Sequence, residues 1–214
     1  MTRLLPATLV LMASAAAAGQ ARPPAAETAA AVQQKYDRVK DFTADFTHMY
    51  EGGVLNKKST ERGTVQIKKP GRMRWEYTAP EKKLFVSDGR KVYSHIPADK
   101  QVVVSSVPTD DEATTAVLFL AGKGNLTRDF HVKYANGAPD GTLALRLDPK
   151  QPQRDYDWLV IGVDPKSLQI RSLTAADQQG GRSTFQFSNY RENIGLADGL
   201  FEFKIPKGTD VITR

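Results

Sequence analysis

The side chains that most often do chemistry are sparse in this sequence and stand far apart. There are three histidines, His48, His95 and His131, and none belongs to a recognisable metal-ligand motif. The sequence has no cysteine, which excludes a thiolate nucleophile, a disulfide framework and lipid attachment at an amino-terminal cysteine. We therefore expect neither a metal nor a cofactor.

Sequence motifs of catalysis are also missing. The chain has no Gly-x-Ser-x-Gly elbow, no His-Glu-x-x-His pair and no glycine-rich phosphate loop. The acidic run at 110–112 precedes an apolar segment, where carboxylates cap a helix and favour its dipole. We predict that the protein is not an enzyme. Because triads assemble from distant residues, an exported hydrolase of an acylated substrate stays open as an alternative.

The elements that must position any site are organised around residues 63–89, whose pattern predicts three short strands and their turns. Val65 and Ile67 alternate with polar residues, and beyond the turn at 70–71 so do Met73, Trp75 and Tyr77. A period of two predicts a sheet with one apolar and one wetted face. The apolar face must be covered, and in the simplest case it is an ordinary core packed on a helix.

Two helices are predicted outside this stretch. From residue 27, apolar side chains recur three and four positions apart, at Ala29, Val32, Tyr36 and Val39. Residues 109–121 carry a capping-box pattern at their start, an apolar centre at 116–121 and a glycine immediately after. The centre of this second helix is apolar nearly all round, so it requires apolar cover on more than one side.

The rest of the chain is rich in strand patterns. After residue 124 these patterns fall at 130–134, 142–147, 158–163, 168–173, 183–190 and 201–205, with turn signals between them. In all there are roughly eleven strand-like runs. So many strands exceed what a small open sheet holds, so the sheet should curl. We predict a mainly β (α+β) fold: an incompletely closed antiparallel β-barrel with helices covering its concave face.

The amino terminus indicates export. Arg3 precedes an apolar run at 4–12, and small residues at 16–18 offer a cleavage site. We predict a signal peptide at 1–18, a flexible segment at 19–26 and a single domain at 27–214, released into the periplasm. An uncleaved anchor is the alternative, but the apolar run is shorter than a span needs. The formal charge of +6 is scattered, which favours a solvated surface over contact with anionic membranes or acidic proteins. Export argues against a nucleic-acid partner, and we expect a monomer.

The central stretch also resembles a known family. The run Ile-Lys-Lys-Pro-Gly-Arg-Met-Arg-Trp-Glu at 67–76, followed by Val-Ser-Asp-Gly at 86–89, is similar to the signature region of the periplasmic outer-membrane lipoprotein carriers, the LolA family. Positions between 163 and 211 follow the order and spacing of the same family. Residues 92–96 depart from it, since the family often has a tryptophan and a further aromatic residue there.

This resemblance implies a function. The family's half-closed barrel takes the acyl chains of lipoproteins on a concave apolar face lidded by helices, and carries them across the periplasm. It implies three partners: acylated lipoproteins, an inner-membrane ATP-driven release complex and an outer-membrane acceptor lipoprotein. The alternative is an exported lipid- or glycolipid-sensing domain of the same fold, acting in envelope signalling.

The residues that suit a lipid-facing lining are large, apolar and easily repacked. We predict that the lining is formed by Phe46, Val65, Ile67, Met73, Trp75, Val117, Leu118 and Leu120. Strand parity alone does not decide which of the two faces lines the cavity.

One charged residue receives a role through the resemblance alone. In the family a basic residue just before the turn proline bonds to the lid helices, and the matching position here is Lys69, where the family more usually has Arg. The resemblance thus implies that Lys69 gates the lid. Read without the resemblance, Lys69 is an ordinary solvated charge at the end of a strand.

Overall fold

We describe the protein from a computed structural model covering residues 22–52, 57–107, 120, 122, 124–136, 139, 141–153 and 155–214. The helices in this part are α1 (Ala25–Arg38), α2 (Leu126–Asp129) and the 3₁₀ turns Pro97–Asp99 and Asp198–Phe201. The strands are β1 (Asp41–Gly52), β2 (Lys57–Lys68), β3 (Arg72–Ala79), β4 (Lys83–Asp88), β5 (Lys91–Ile96), β6 (Gln101–Ser106), β7 (Phe130–Ala135), β8 (Leu143–Pro149), β9 (Trp158–Val163), β10 (Ile170–Ala176), β11 (Arg182–Glu192) and β12 (Asp210–Thr213).

All of these strands belong to one sheet, in the order β12-β6-β5-β4-β3-β2-β1-β11-β10-β9-β8-β7. Neighbours run antiparallel except β12, which lies parallel to β6. The pairing of β1 with β11 joins the first strand of the chain to a strand near its end. Within the described residues β7 and β12 are the two edges of the sheet, so the barrel is open, as predicted.

The sheet curls toward one face. Trp75 on β3 and Phe187 on β11 are separated by β1 and β2, a lateral distance of about 14 Å in a flat sheet. Their ring centroids are 6.3 Å apart. Side chains of both halves of the sheet therefore meet on the concave face, where they form one buried apolar cluster.

Helix α1 covers this concave face. Its residues Ala29, Val32 and Tyr36 are buried in the same cluster as the sheet residues, as the apolar stripe predicted. The Thr28 hydroxyl and the Tyr134 hydroxyl on β7 are 2.7 Å apart. The Gln33 side chain accepts a hydrogen bond of 2.9 Å from the Leu126 backbone N–H. These contacts attach the start of α1 to the edge strand β7 and its middle to α2.

Several element boundaries differ from the sequence-based expectations. Helix α1 begins at Ala25, two residues earlier than predicted. Strands β1 and β2 extend into the stretch predicted as a polar loop, to Gly52 and from Lys57, because backbone pairing does not require apolar side chains. At the start of β10, Leu168 lies in a turn with a φ of 56° and the strand begins only at Ile170.

The predicted strand at 201–205 is wrong. This segment follows the 3₁₀ turn Asp198–Phe201, and residues 202–205 belong to no strand. Phe201 is buried, and the Phe203 ring lies 5.3 Å from the Tyr93 ring on β5. The alternation of aromatic residues therefore reflects packing against the sheet rather than strand pairing. The short, exposed β12 was not predicted, because it has little apolar pattern to detect.

Some predicted segments lie outside the described residues. These are the signal peptide at 1–18 and most of the second helix at 109–121. At the end of that helix, Leu120 is helical and buried, and Gly122 has a φ of +84°, a conformation that suits a C-terminal cap. None of the helices in the described part of the chain is long and apolar enough to cross a membrane.

Candidate functional site

The candidate site is the concave apolar face beneath α1. Two cross-strand layers build it: Ala44, Val65 and Trp75 are in register across β1, β2 and β3, and Phe42, Ile67 and Met73 form the next layer. Because successive side chains of a strand alternate between faces, this register places every one of them on the same side. All six are buried.

The structure brings most of the predicted lining together. One buried apolar cluster contains Phe46, Val65, Ile67, Met73, Trp75 and Leu120. Val117 and Leu118 lie outside the described residues. Their role as a lipid lining stays a prediction, because burial is common to a core and to a closed binding site.

An aromatic cluster occupies the centre of this face. The Phe46 ring centroid lies 5.2 Å from that of Trp75 and 4.8 Å from that of Tyr77. Phe185 lies 5.1 Å from Trp75. Gly63 leaves room for this arrangement, because a Cβ at that position would lie 2.8 Å from the Phe46 ring. The rings meet at tilted and edge-on angles, which are favourable geometries for aromatic pairs.

Lys69 joins the sheet to the covering helix. It follows β2 directly, and its ammonium group donates a hydrogen bond to the Tyr36 carbonyl oxygen near the C-terminus of α1. The same group lies 4.1 Å from the centroid of the Tyr36 ring. The Tyr36 hydroxyl in turn donates to the Leu120 carbonyl. We call Lys69, Tyr36, Leu120 and Gly122 the clamp, since Gly122 packs against the Lys69 aliphatic stem.

Electrostatics at the clamp are mixed. Burial lowers the pKa of Lys69, and the carboxylate of Asp37 opposes this change. The carbonyl end of α1 favours a cation, because the helix dipole is negative there. Lys69 is therefore not a fully solvated strand-end charge, which corrects the interpretation made from the residues alone.

A polar rim lies at the edge of the aromatic cluster, formed by His48, Glu61, Lys83 and Ser183. The His48 Nδ1 is 3.2 Å from a Glu61 oxygen, and its Nε2 is 2.7 Å from the Ser183 hydroxyl. Lys83 donates to the other Glu61 oxygen at 2.5 Å. The His48 ring stacks on Phe185 with centroids 4.2 Å apart. Burial lowers the pKa of His48, and its hydrogen bond to Glu61 opposes the change.

Sequence reasoning missed this rim. His48 was interpreted as isolated, because its hydrogen-bond partners come from β2 and β11. The parity of β1 places His48 on the same face as Phe46, which was a usable signal. The long-range pairing of β1 with β11, which brings Ser183 to it, had no local signal.

The contacts of His48 have the connectivity of a Ser-His-Glu triad, but the backbone N–H groups nearest Ser183 in the described part of the chain belong to a strand that is paired on both sides. Acyl transfer needs backbone or side-chain N–H groups aimed at the developing oxyanion. Strand β11 pairs with both β1 and β10 around Ser183, so its backbone N–H groups are used in the ladders. Glu61 is also shared with Lys83, which competes for its charge.

The other histidines stand apart from this face. The His95 ring lies 5.7 Å from that of Phe203, and His131 is exposed on β7. In the described part of the chain, no three His, Cys, Asp or Glu side chains are grouped as metal ligands.

A separate groove of about 410 Å³ lies on the opposite face of β9, β10 and β11. Trp158 lines it, with the Arg146 guanidinium 4.4 Å and the Arg182 guanidinium 5.7 Å from its ring. The alternation of side chains puts this groove on the other side of the sheet from Leu159 and Ile161 in the apolar cluster.

The curled, open sheet with a helix over its apolar face defines the class of half-barrel proteins. An uncharacterized conserved protein from Thermus thermophilus has the same fold, with a TM-score of 0.55, 12% sequence identity, and coverage of 88% of this chain and 99% of that one.

The sequence comparisons then give the family. The profile of the outer membrane lipoprotein carrier protein LolA matches residues 37–204, and the chain belongs to this family. An outer-membrane lipoprotein carrier protein of Chromohalobacter salexigens is 31% identical over 206 residues, 96% of this chain and 93% of that protein. The protein of that name from Methylibium petroleiphilum is 34% identical over 178 residues, 82% of this chain and 84% of that protein.

Proposed function

We propose that this protein is a periplasmic carrier that holds the acyl chains of lipoproteins on its concave apolar face. The observation that supports this proposal most strongly is the arrangement of that face: aromatic and aliphatic side chains of both sheet halves converge beneath a helix that a polar clamp holds in place. Membership of the lipoprotein carrier family agrees with it.

The physical need for such a carrier follows from the hydrophobic effect. Each methylene group moved out of water is worth about 0.8 kcal/mol, so a long acyl chain left in water costs on the order of 10 kcal/mol. A carrier must offer comparable apolar surface and still release it. Met73 suits this, because its flexible thioether can repack around a chain.

The clamp controls access to the concave apolar face in this proposal. An empty apolar face exposed to water invites aggregation, so the covering elements must close when no cargo is present. Lys69 holds α1 through a carbonyl hydrogen bond and a cation–π contact, both of which break when the helix moves away. We infer that Lys69 gates access to the face.

The remaining parts of the proposal concern place and partners. A cleaved signal peptide at 1–18 would deliver the protein to the periplasm. There we propose that it accepts cargo from an inner-membrane ATP-driven release complex and passes it to an outer-membrane acceptor lipoprotein. We propose that the transfer is non-enzymatic, and the pairing of β11 on both sides at Ser183, which uses its backbone N–H groups, supports this part.

Binding of a synthetic triacylated lipopeptide tests the carrier proposal. Trp75→Glu puts a charge at the centre of the apolar face, so we expect the affinity to fall at least about tenfold. Thr64→Glu is the matched control, because Thr64 is the exposed neighbour of Val65 and should leave binding unchanged. Circular dichroism confirms that each variant is folded. A folded Trp75→Glu protein that binds as tightly as the unchanged protein would refute the proposed lining.

A further inference from the structure

One buried polar atom of the concave face has no partner. Trp75 is 3% exposed, and its indole Nε1 is buried without a hydrogen-bond acceptor among the described residues. The ring lies among Phe46, Phe185 and Phe187. An aromatic face is at most a weak acceptor, so these neighbours leave most of the hydrogen-bonding capacity of the indole unused.

Two buried hydroxyl groups near this face are paired. The Ser87 hydroxyl donates to the Gly71 carbonyl at 2.8 Å, and the Tyr36 hydroxyl donates to the Leu120 carbonyl. The two further unpaired buried atoms in the described residues, on Gln153 and Glu192, are acceptor oxygens. Trp75 thus presents the one buried side-chain donor found unpaired in this part of the chain.

An unpaired donor in an apolar site limits what can bind there. Burying an N–H group without a hydrogen bond costs free energy, and a phenylalanine would fill similar space without that cost. A charged acceptor such as a phosphate would have to be stripped of water among aromatic rings, which is unfavourable. The carbonyl oxygen of an ester or amide is an uncharged acceptor that can be attached to an alkyl chain, and an ester brings no donor of its own.

We propose that the Trp75 indole N–H binds a carbonyl oxygen at the head of a bound acyl chain. This inference rests on the proposed acyl-binding function and gives it a specificity: the site recognises acyl esters or amides, rather than hydrocarbon in general. The hydrogen bond also fixes the depth of the chain, because the carbonyl must lie at the Trp75 layer of the half-barrel.

A matched pair of lipids tests the inference. The probes are 1-O-palmitoylglycerol, an ester, and 1-O-hexadecylglycerol, an ether of the same chain length that lacks the carbonyl. Each displaces a fluorescent fatty acid from the full-length mature protein. We expect the unchanged protein to prefer the ester about tenfold, because one buried hydrogen bond is gained. Trp75→Phe should lose this preference, mainly through weaker ester binding.

Trp158→Phe is the control variant, because this tryptophan lies in the groove on the opposite face, and it should keep the ester preference. A full ester preference in Trp75→Phe, or equal binding of ester and ether by the unchanged protein, overturns the inference and leaves the carrier proposal standing. Failure of both lipids to bind the unchanged protein overturns the carrier proposal and this inference with it.

A second measurement does not depend on a variant that folds. In a ¹⁵N-labelled protein the indole N–H signals of the two tryptophans are resolved from the backbone. The ester should move the Trp75 indole proton to lower field, as a new hydrogen bond does, and the ether should not. An indole proton that responds equally to both lipids overturns the inference.

Discussion

Lys69 connects the end of β2 to helix α1 through a single charged group. Its ammonium group reaches a carbonyl oxygen of α1, and its stem packs against Gly122. An arginine in this place would offer a planar fork with several donors, whereas lysine offers a compact point charge. We infer that the closed state of this protein depends on fewer hydrogen bonds than an arginine would supply.

Removal of the Lys69 charge should loosen α1. Lys69→Met keeps the stem but loses the hydrogen bond and the cation–π contact, so we expect the free energy of α1 opening to fall by about 1–2 kcal/mol. Hydrogen exchange of the α1 amides measures this. Lys82→Met, at an exposed turn, is the control and should not alter exchange. Unchanged α1 protection in Lys69→Met would remove Lys69 from the clamp.

His48 makes the stability of the protein depend on pH. Burial holds the pKa of His48 below the ordinary 6.5, and the positive charge of Lys83 also lowers this pKa. The hydrogen bond to Glu61 and the negative charge of Glu61 oppose the change. Between the folded and unfolded pKa values the unfolded chain binds more protons, so the free energy of unfolding decreases as the pH falls below about 6.5. The pKa of Glu61 is also lowered, which adds a loss at more acidic pH.

His48→Gln should flatten this dependence. Urea unfolding at pH 7.5 and at pH 5.5 gives the difference in the free energy of unfolding, which we expect to be smaller in the variant than in the unchanged protein. His131→Gln, at an exposed position of β7, should retain the full difference. An equal pH difference in His48→Gln and the unchanged protein would contradict the assignment to His48.

At the scale of the elements, the closeness of β1, β2 and β3 depends on the absence of a side chain at Gly63. A Cβ there would overlap the Glu76 carbonyl oxygen of β3 and press on the Phe46 ring. We expect Gly63→Ala to reduce the free energy of unfolding by about 2–3 kcal/mol, because backbone and ring must both shift. Gly199→Ala has no atom within 4 Å of its Cβ and should cost less than about 0.5 kcal/mol. Denaturant titration measures the free energy of unfolding of both variants. Equal values for Gly63→Ala and Gly199→Ala would contradict the prediction and show that the strands can shift to accept a side chain at position 63.

The elements also show what a sequence can and cannot predict. The faces of β2 and β3 and the stripe of α1 were predictable, because periods of two and of 3.6 are local properties. The grouping of Phe46, Trp75 and Leu120 did not follow from those faces alone, because strand parity leaves open which face of the sheet is covered. The polar rim did not follow from them either, because it depends on which strands pair across more than a hundred residues. The segment at 201–205 misled the prediction, since packing against a sheet produces the same alternation as pairing within it.

At the scale of the whole molecule, the open sheet has a functional meaning. A closed barrel of this width would enclose a fixed interior, whereas an open one with a separate covering helix can change its volume. The contact of α1 with the sheet is apolar beneath and polar at the clamp. We infer that cargo enters by displacing the covering elements as a unit, rather than through a permanent channel.

A lipid-sensing domain, the alternative function, would differ from a carrier in how it holds the bound molecule. A sensor needs to bind a signal transiently, whereas a carrier should be found with its cargo in a defined ratio. The same apolar face could serve both, so the identity and stoichiometry of the bound molecule distinguish them.

Native mass spectrometry of the protein purified gently from the periplasm is therefore the most direct test of the central claim. We predict a complex of one protein with one triacylated lipoprotein, released when the apolar face carries Trp75→Glu. A protein that is repeatedly empty, or one that carries a free glycolipid, would contradict the assignment as a lipoprotein carrier.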